Sequence, residues 1–167
     1  MSKLTALALS IAILGGIWAF LALGPLAGFV LVWAGFIAWG CYFALGANSA
    51  ALQKTIVGMI FGAVIAGVAL ALVGANPLGL PGAAGPAVYI AVTVFLLVIV
   101  ANIDILSAVP ANVFGYAATA AYALQTTGAG SSMAMDFTNP VLLIAVSTVL
   151  GAVFGMISGK AADAIAK

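Results

Sequence analysis

The chain has 167 residues, of which 66% are hydrophobic and only 4% are charged. A soluble domain carries about 25% charged residues, so this composition excludes a water-facing surface and predicts that most of the protein surface contacts lipid. The net charge is +1 and no basic run exists, which excludes nucleic acid as a partner.

Six apolar runs follow one another along the chain. The hydrocarbon core of a bilayer is about 30 Å thick and needs roughly 20 apolar residues per helix. We therefore predict an all-α, polytopic membrane protein with a single transmembrane domain over residues 1–167. The predicted spans are about 4–23, 26–45, 55–73, 87–105, 110–124 and 140–158. The sequence lacks the strict apolar/polar alternation of a β-barrel, and backbone groups in lipid must bond internally, so helices are favoured.

Breaks between the runs have the composition of loops. Lys3 followed by the run 4–23 also fits a cleaved signal, but the run is long and further spans follow at once, which favours a first transmembrane helix. The Pro/Gly-rich stretch 74–86 and the polar stretch 125–139 predict connections.

The positions of the lysines test the six-span topology. Lys3 precedes span one, Lys54 lies between spans two and three, and Lys160 and Lys167 follow span six. With six crossings all four lie on one side, and the opposite loops contain no Lys or Arg. The positive-inside rule then places both termini in the cytoplasm.

Glycines at intervals of four predict close helix packing. They lie on one face of span three and one face of span six, where backbones can approach closely. Packing within the chain and a seam between protomers both explain them, and the narrow Gly/Ala-rich helices lead us to expect a homo-oligomer. These glycines are Gly58, Gly62, Gly151, Gly155 and Gly159.

A faint internal repeat relates spans two and three to spans five and six. FIAWGCYFAL followed by VGMIFGAVIAG resembles VFGYAATAAYAL followed by LGAVFGMISG. Three spans per half would make the halves a 3+3 inverted repeat, as in channels and transporters. Convergence of Gly/Ala-rich helices explains the likeness equally well.

The chemistry that catalysis needs is missing from the sequence. Acid–base and nucleophilic mechanisms use paired titratable groups, but the chain has no His and no neighbouring pair of carboxylates. Cys41 is the only Cys, which excludes an internal disulfide and a Cys/His metal site. We therefore expect neither an enzyme nor a cofactor.

The stretch 98–117 concentrates polar residues between spans four and five. In one interpretation Asp104 lies at the water interface, Ser107 caps helix five and Asn112 bonds a neighbouring helix. In the other, Asn102, Asp104 and Asn112 surround the inner mouth of a polar pathway, with Tyr116 on the same helix face as Asn112.

Aromatic residues crowd the first two spans. Lipid contact or core packing explains them, and so does an aromatic constriction that admits small planar neutral molecules and rejects hydrated ions. These residues are Trp18, Trp33, Phe36, Trp39 and Tyr42.

Three segments carry a family resemblance: GGIWAF at 15–20, WAGFIAWGCYFA at 33–44 and LSAVPANVFG at 106–115. With them the chain resembles, over nearly its whole length, the YcdZ-like bacterial inner-membrane proteins, a domain of unknown function. The resemblance implies a bacterial cytoplasmic membrane and no established activity. In general architecture the chain is also similar to small six-helix channels for urea, amides or ammonia.

These observations favour a passive, homo-oligomeric channel for a small uncharged solute of the urea, short amide or ammonia class. A coupled secondary transporter that uses Asp104, and an accessory subunit of a larger membrane complex, are the alternatives.

Overall fold

The computed structural model describes residues 1–166, and over that range the chain is all-helical with no β-strand. Two short 3₁₀ turns, Val100–Asn102 and Asp104–Leu106, join the fourth and fifth helices. The helices are α1 (Lys3–Leu23), α2 (Val32–Ala44), α3 (Ser49–Ala75), α4 (Ala84–Ile99), α5 (Val109–Gln125) and α6 (Pro140–Ile165).

Four helical segments are long and apolar enough to cross a membrane: α1, α3, α6, and α4 together with the first 3₁₀ turn. The apolar helix α2 has 13 residues and α5 has 17, which correspond to about 20 Å and 26 Å. A helix lies at each of the six predicted positions, but two of the six are shorter than the hydrocarbon core.

Several predicted boundaries are wrong. The second span was expected from residue 26, but Gly24–Leu31 forms turns with Gly28 at φ +84°, so α2 starts at Val32. α3 starts at Ser49, six residues early, because the Asn48 side chain accepts a hydrogen bond from the Ala51 N–H. α6 continues past the expected end at 158 to Ile165. The predicted loop 125–139 is irregular, apart from Gln125 at the end of α5.

Two helix pairs are in backbone contact, and glycines make that possible. A Cβ atom on Gly62 of α3 would overlap the carbonyl oxygen of Asn112 on α5, and one on Gly115 of α5 would overlap that of Met59 on α3. In the same way, a Cβ on Gly151 of α6 would overlap the carbonyl oxygen of Gly35 on α2. Such contacts replace the hydrophobic driving force that lipid removes.

The other predicted packing glycines also face neighbouring helices of the same chain. Gly58 leaves room for the Asn112 carboxamide, and Gly155 leaves room for the rings of Trp39 and Tyr42. Gly159 lies opposite the Phe43 ring. The contacts along both glycine faces are therefore within one chain.

Polar side chains satisfy the irregular backbone at the start of the two short helices. The Leu31 N–H donates to the Ser147 hydroxyl at 2.8 Å, and the Trp18 indole donates to the Val32 carbonyl at 2.9 Å. Beside α5, the Asn112 amide donates to the carbonyls of Leu97 and Leu106. Non-helical backbone inside a membrane domain requires such partners.

Most of the charges lie at one end of the bundle. Lys3 of α1 pairs with Asp163 of α6 at 3.1 Å, and Lys54 of α3 pairs with Asp104 at 3.0 Å. We call this the charged end. Asp136 belongs to the loop that precedes α6, and Lys167 lies outside the described residues.

Candidate functional site

α3 and α6 cross the centre of the bundle in opposite directions. On α3, Met59 and Ala63 are buried, and on α6 Ile144 and Ala152 are buried. Met59 belongs to one core cluster with Ala152, and Ala63 belongs to another with Ile144. The two helices therefore pack antiparallel to each other. We call this contact the central seam.

A cavity of about 490 Å³ opens at the charged end of the central seam. Leu52 of α3 and Met156 of α6 form part of its apolar wall, and the Lys3–Asp163 ion pair lies at its edge. The Tyr42 hydroxyl, which donates to the Ala47 carbonyl at 2.8 Å, also belongs to its wall. The cavity thus combines charged, polar and apolar surface.

The second cavity, of about 470 Å³, is an open groove at the opposite end of the same seam, and Val64 and Val68 in its wall are each 47% exposed. Gly67 and Val68 of α3 and Val141 of α6 line it, and Met133 of the preceding loop adds to the wall. The Ser132 hydroxyl donates to the Gly67 carbonyl at 3.1 Å. This cavity is almost entirely apolar.

The middle of the seam contains a polar atom without a partner. The register that pairs Leu52 with Met156 and Gly67 with Val141 places Met59 and Thr148 midway between the cavities. Thr148 is fully buried, and its hydroxyl has no hydrogen-bond partner. Leaving a buried hydroxyl unpaired costs about 1–3 kcal/mol, so this position suits a guest that forms hydrogen bonds.

Two other buried polar atoms lack partners, the Oδ1 of Asn112 and the hydroxyl of Thr119. Both belong to α5. Asn112 Oδ1 faces Gly58 of α3. Thr148 differs from them because it lies on the face of α6 between Ile144 and Ala152, which pack against α3.

The aromatic residues singled out in the sequence do not form one constriction. Trp18 and Trp39 are buried in the core, where Trp39 donates to the Ser158 hydroxyl at 3.0 Å. Trp33 and Phe36 are 40% and 41% exposed on the outside of the bundle. Of the five, Tyr42 alone lines a cavity described above.

The polar residues between α4 and α5 are separated rather than gathered at a mouth. The Asp104 side chain is 94% exposed, and Asn102 is exposed and bonds the Ile99 carbonyl of its own turn. Asn112, in contrast, is fully buried. Of these three residues Asn102 and Asp104 are therefore exposed at the surface, where Lys54 pairs with the Asp104 carboxylate.

Ser107 does not cap α5, contrary to the prediction. The residue at the N-cap is Ala108, and no side chain caps this helix. Ser107 instead accepts a hydrogen bond from the Lys54 ammonium at 2.9 Å, because that cation lies between it and Asp104. Tyr116 is half-buried and shares a hydrogen bond of 3.0 Å with Thr93 on α4.

Met59 and Thr148 were not singled out from the sequence. Thr148 follows Ser147 in an apolar run, and nothing in the sequence distinguishes either residue from an ordinary buried hydroxyl residue. The spacing of four that joins Ile144, Thr148 and Ala152 was the available signal, because it places them on one helix face.

Comparison with known proteins identifies the family. No curated protein and no solved structure matches the chain. One family model, described as "protein of unknown function (DUF1097)", matches residues 8–163. Since this match spans nearly the whole sequence, the chain belongs to the DUF1097 family of uncharacterised proteins.

Proposed function

We propose that the chain crosses the membrane six times as a 3+3 inverted repeat. The contacts between the α-helices support this proposal, because exchanging the first three helices with the last three maps each contact either onto another contact or onto itself. Thus α2 against α6 becomes α5 against α3, and α1 against α6 becomes α4 against α3. α3 and α6 are exchanged with each other and run antiparallel, which is the relation that an axis in the membrane plane produces.

The register of the two halves agrees at single residues. Gly62 and Gly151 occupy equivalent places, since each approaches a backbone carbonyl of the partner helix, that of Asn112 and that of Gly35. Asn112 and Gly35 each lie four residues after an N-cap, which is Ala108 in α5 and Leu31 in α2. In this proposal α2 and α5, which are shorter than the hydrocarbon core, cross the membrane together with the turns that precede them.

The proposed location is the cytoplasmic membrane of a bacterium, with both termini in the cytoplasm. The charged end contains Lys3, Lys54 and Lys160, and the positive-inside rule assigns such an end to the cytoplasm. The YcdZ-like identity of the chain is part of the same proposal.

The proposed activity is passive permeation of a small uncharged solute of the urea, short amide or ammonia class along the central seam. The observation that supports it best is the pair of cavities at opposite ends of one helix contact. Within the described residues, the buried polar side chains of α3 and α6 between the two cavities are the hydroxyls of Thr55, Ser147 and Thr148, and none of them is charged. Such a path cannot replace the water shell of an ion. Homo-oligomerisation and the lack of enzymatic activity remain predictions.

A stopped-flow assay on proteoliposomes tests this proposal. Urea, acetamide, glycerol and water are compared with empty liposomes, and we expect faster entry of at least one neutral amide. Rates equal to those of empty liposomes for every solute would refute the proposal.

Blocking the path from the charged end adds specificity to the assay. The native Cys41 is 1% exposed, so an introduced cysteine is the accessible target for a water-soluble maleimide. Modification of Leu52→Cys, in the cavity wall, should stop the flux. Modification of Ser131→Cys, in an exposed loop, serves as the matched control and should leave it unchanged.

A further inference from the structure

The middle layer of the bundle takes one residue from each of the four central helices. Gly115 of α5 lies against the backbone of Met59 on α3, and Ala38 of α2 packs in the same core cluster as Met59. The register of the seam adds Thr148 from α6 to this layer. Ala38 and Gly115 have little or no side chain, so Met59 and Thr148 contain most of the side-chain atoms there.

In the proposed inverted repeat, Met59 and Thr148 occupy equivalent positions, although their side chains differ chemically. If Gly62 corresponds to Gly151, then Met59 corresponds to Thr148, since each precedes its glycine by three residues. The layer therefore receives a thioether from α3 and a hydroxyl from α6. Met is unbranched and flexible, so its side chain can close a narrow passage and move aside.

We infer that Met59 and Thr148 form the specificity-determining constriction, and that it favours short monoamides over urea. The inference rests on the proposed function. A monoamide has one hydrogen-bonding end and one hydrocarbon end, which match Thr148 and Met59. Urea has two NH2 groups. The second would be desolvated beside Met59 and Ala38 without gaining a hydrogen-bond partner.

Substitutions at the two residues test the inference by stopped flow, with acetamide and urea as probes. Wild-type protein should admit acetamide faster than urea after subtraction of the bilayer rates. Thr148→Val keeps the shape and removes the hydroxyl, so acetamide entry should fall roughly threefold to tenfold, as expected for one neutral hydrogen bond. Thr148→Ser keeps the hydroxyl and should retain most of the rate.

Matched controls separate the constriction from general effects on the fold. Thr119→Val also removes a buried hydroxyl without a partner, but from α5, and should leave the acetamide rate unchanged. Met59→Ala should widen the layer and reduce the preference for acetamide, whereas Met135→Ala, in a fully exposed loop position, should not.

The outcomes distinguish this inference from the proposed function. If the wild-type protein admits no solute faster than empty liposomes, both are refuted. If it conducts, but urea is faster than acetamide, the inference is refuted and the proposed function stands. The same holds if folded Thr148→Val and Thr148→Ser conduct acetamide at equal rates.

Discussion

Replacing Gly62 by alanine tests the backbone contact between α3 and α5. The added methyl group would overlap the carbonyl oxygen of Asn112, an approach that no real Cβ makes, so the helices must separate. Overpacking of this kind costs about 1–3 kcal/mol. Gly74→Ala, on the same helix, is the matched control, because nothing lies within 4 Å of the added atom. There the better helix propensity of alanine gains up to about 1 kcal/mol.

The free energy of unfolding of both variants is measured by titration from mild detergent into sodium dodecyl sulfate. We expect Gly62→Ala to be less stable than Gly74→Ala by about 1–3 kcal/mol, the cost of overpacking, because the gain in helix propensity is common to both variants. Gly151→Ala, which meets the Gly35 backbone, should lose a similar amount. Equal stability of Gly62→Ala and Gly74→Ala would refute the claim that the two helix backbones touch.

Three further predictions concern polar groups. Ser147→Ala removes the acceptor for the backbone N–H before α2 and should lower the free energy of unfolding by about 1–3 kcal/mol in the same titration, whereas an unchanged value would contradict that role. Asp104→Asn should leave solute flux and its pH dependence unchanged because the carboxylate is exposed at the surface, and lost flux would instead favour the coupled transporter. The pKa of Asp136 is lowered by hydrogen bonds from the Thr138 hydroxyl and N–H, so this stabilisation is present above the ordinary pKa of about 3.9 and is lost as pH falls through the lower folded value. Carboxyl NMR titration should give a lower pKa for wild-type protein than for Thr138→Ala, and equal values would contradict the pairing.

Apolar run length was sufficient to predict where the helices lie, because a backbone in lipid has few alternatives to the helix. It was insufficient for the starts of α2 and α3, which begin at Val32 and Ser49 rather than at residues 26 and 55. The turns before α2 are stabilised by Ser147, which is more than a hundred residues away, and such a partner leaves no local pattern. Ser107 was wrongly expected to cap α5 because local spacing does not reveal Lys54 on another helix.

The candidate site was less predictable than the fold. Ser147, Thr148 and Ser158 are hydroxyl residues of one helix and look alike in sequence. In the structure Ser147 and Ser158 bond other groups, and Thr148 alone of the three has no partner. Trp39 and Asn112 were predicted as pathway residues from their aromatic and polar character, but both stabilise the fold by hydrogen bonds within the core.

The most direct test of the proposed path blocks it from the end opposite to the charged end. Val141→Cys lies in the wall of the second cavity. The two cavities are separated by the length of α3 from Leu52 to Gly67, which is about 22 Å. In proteoliposomes, we expect modification of this cysteine by a bulky maleimide to abolish acetamide entry, with modified Thr127→Cys, in an exposed turn outside both cavity walls, as the control. Unchanged acetamide entry through protein whose second cavity is filled would contradict a path along the seam between α3 and α6.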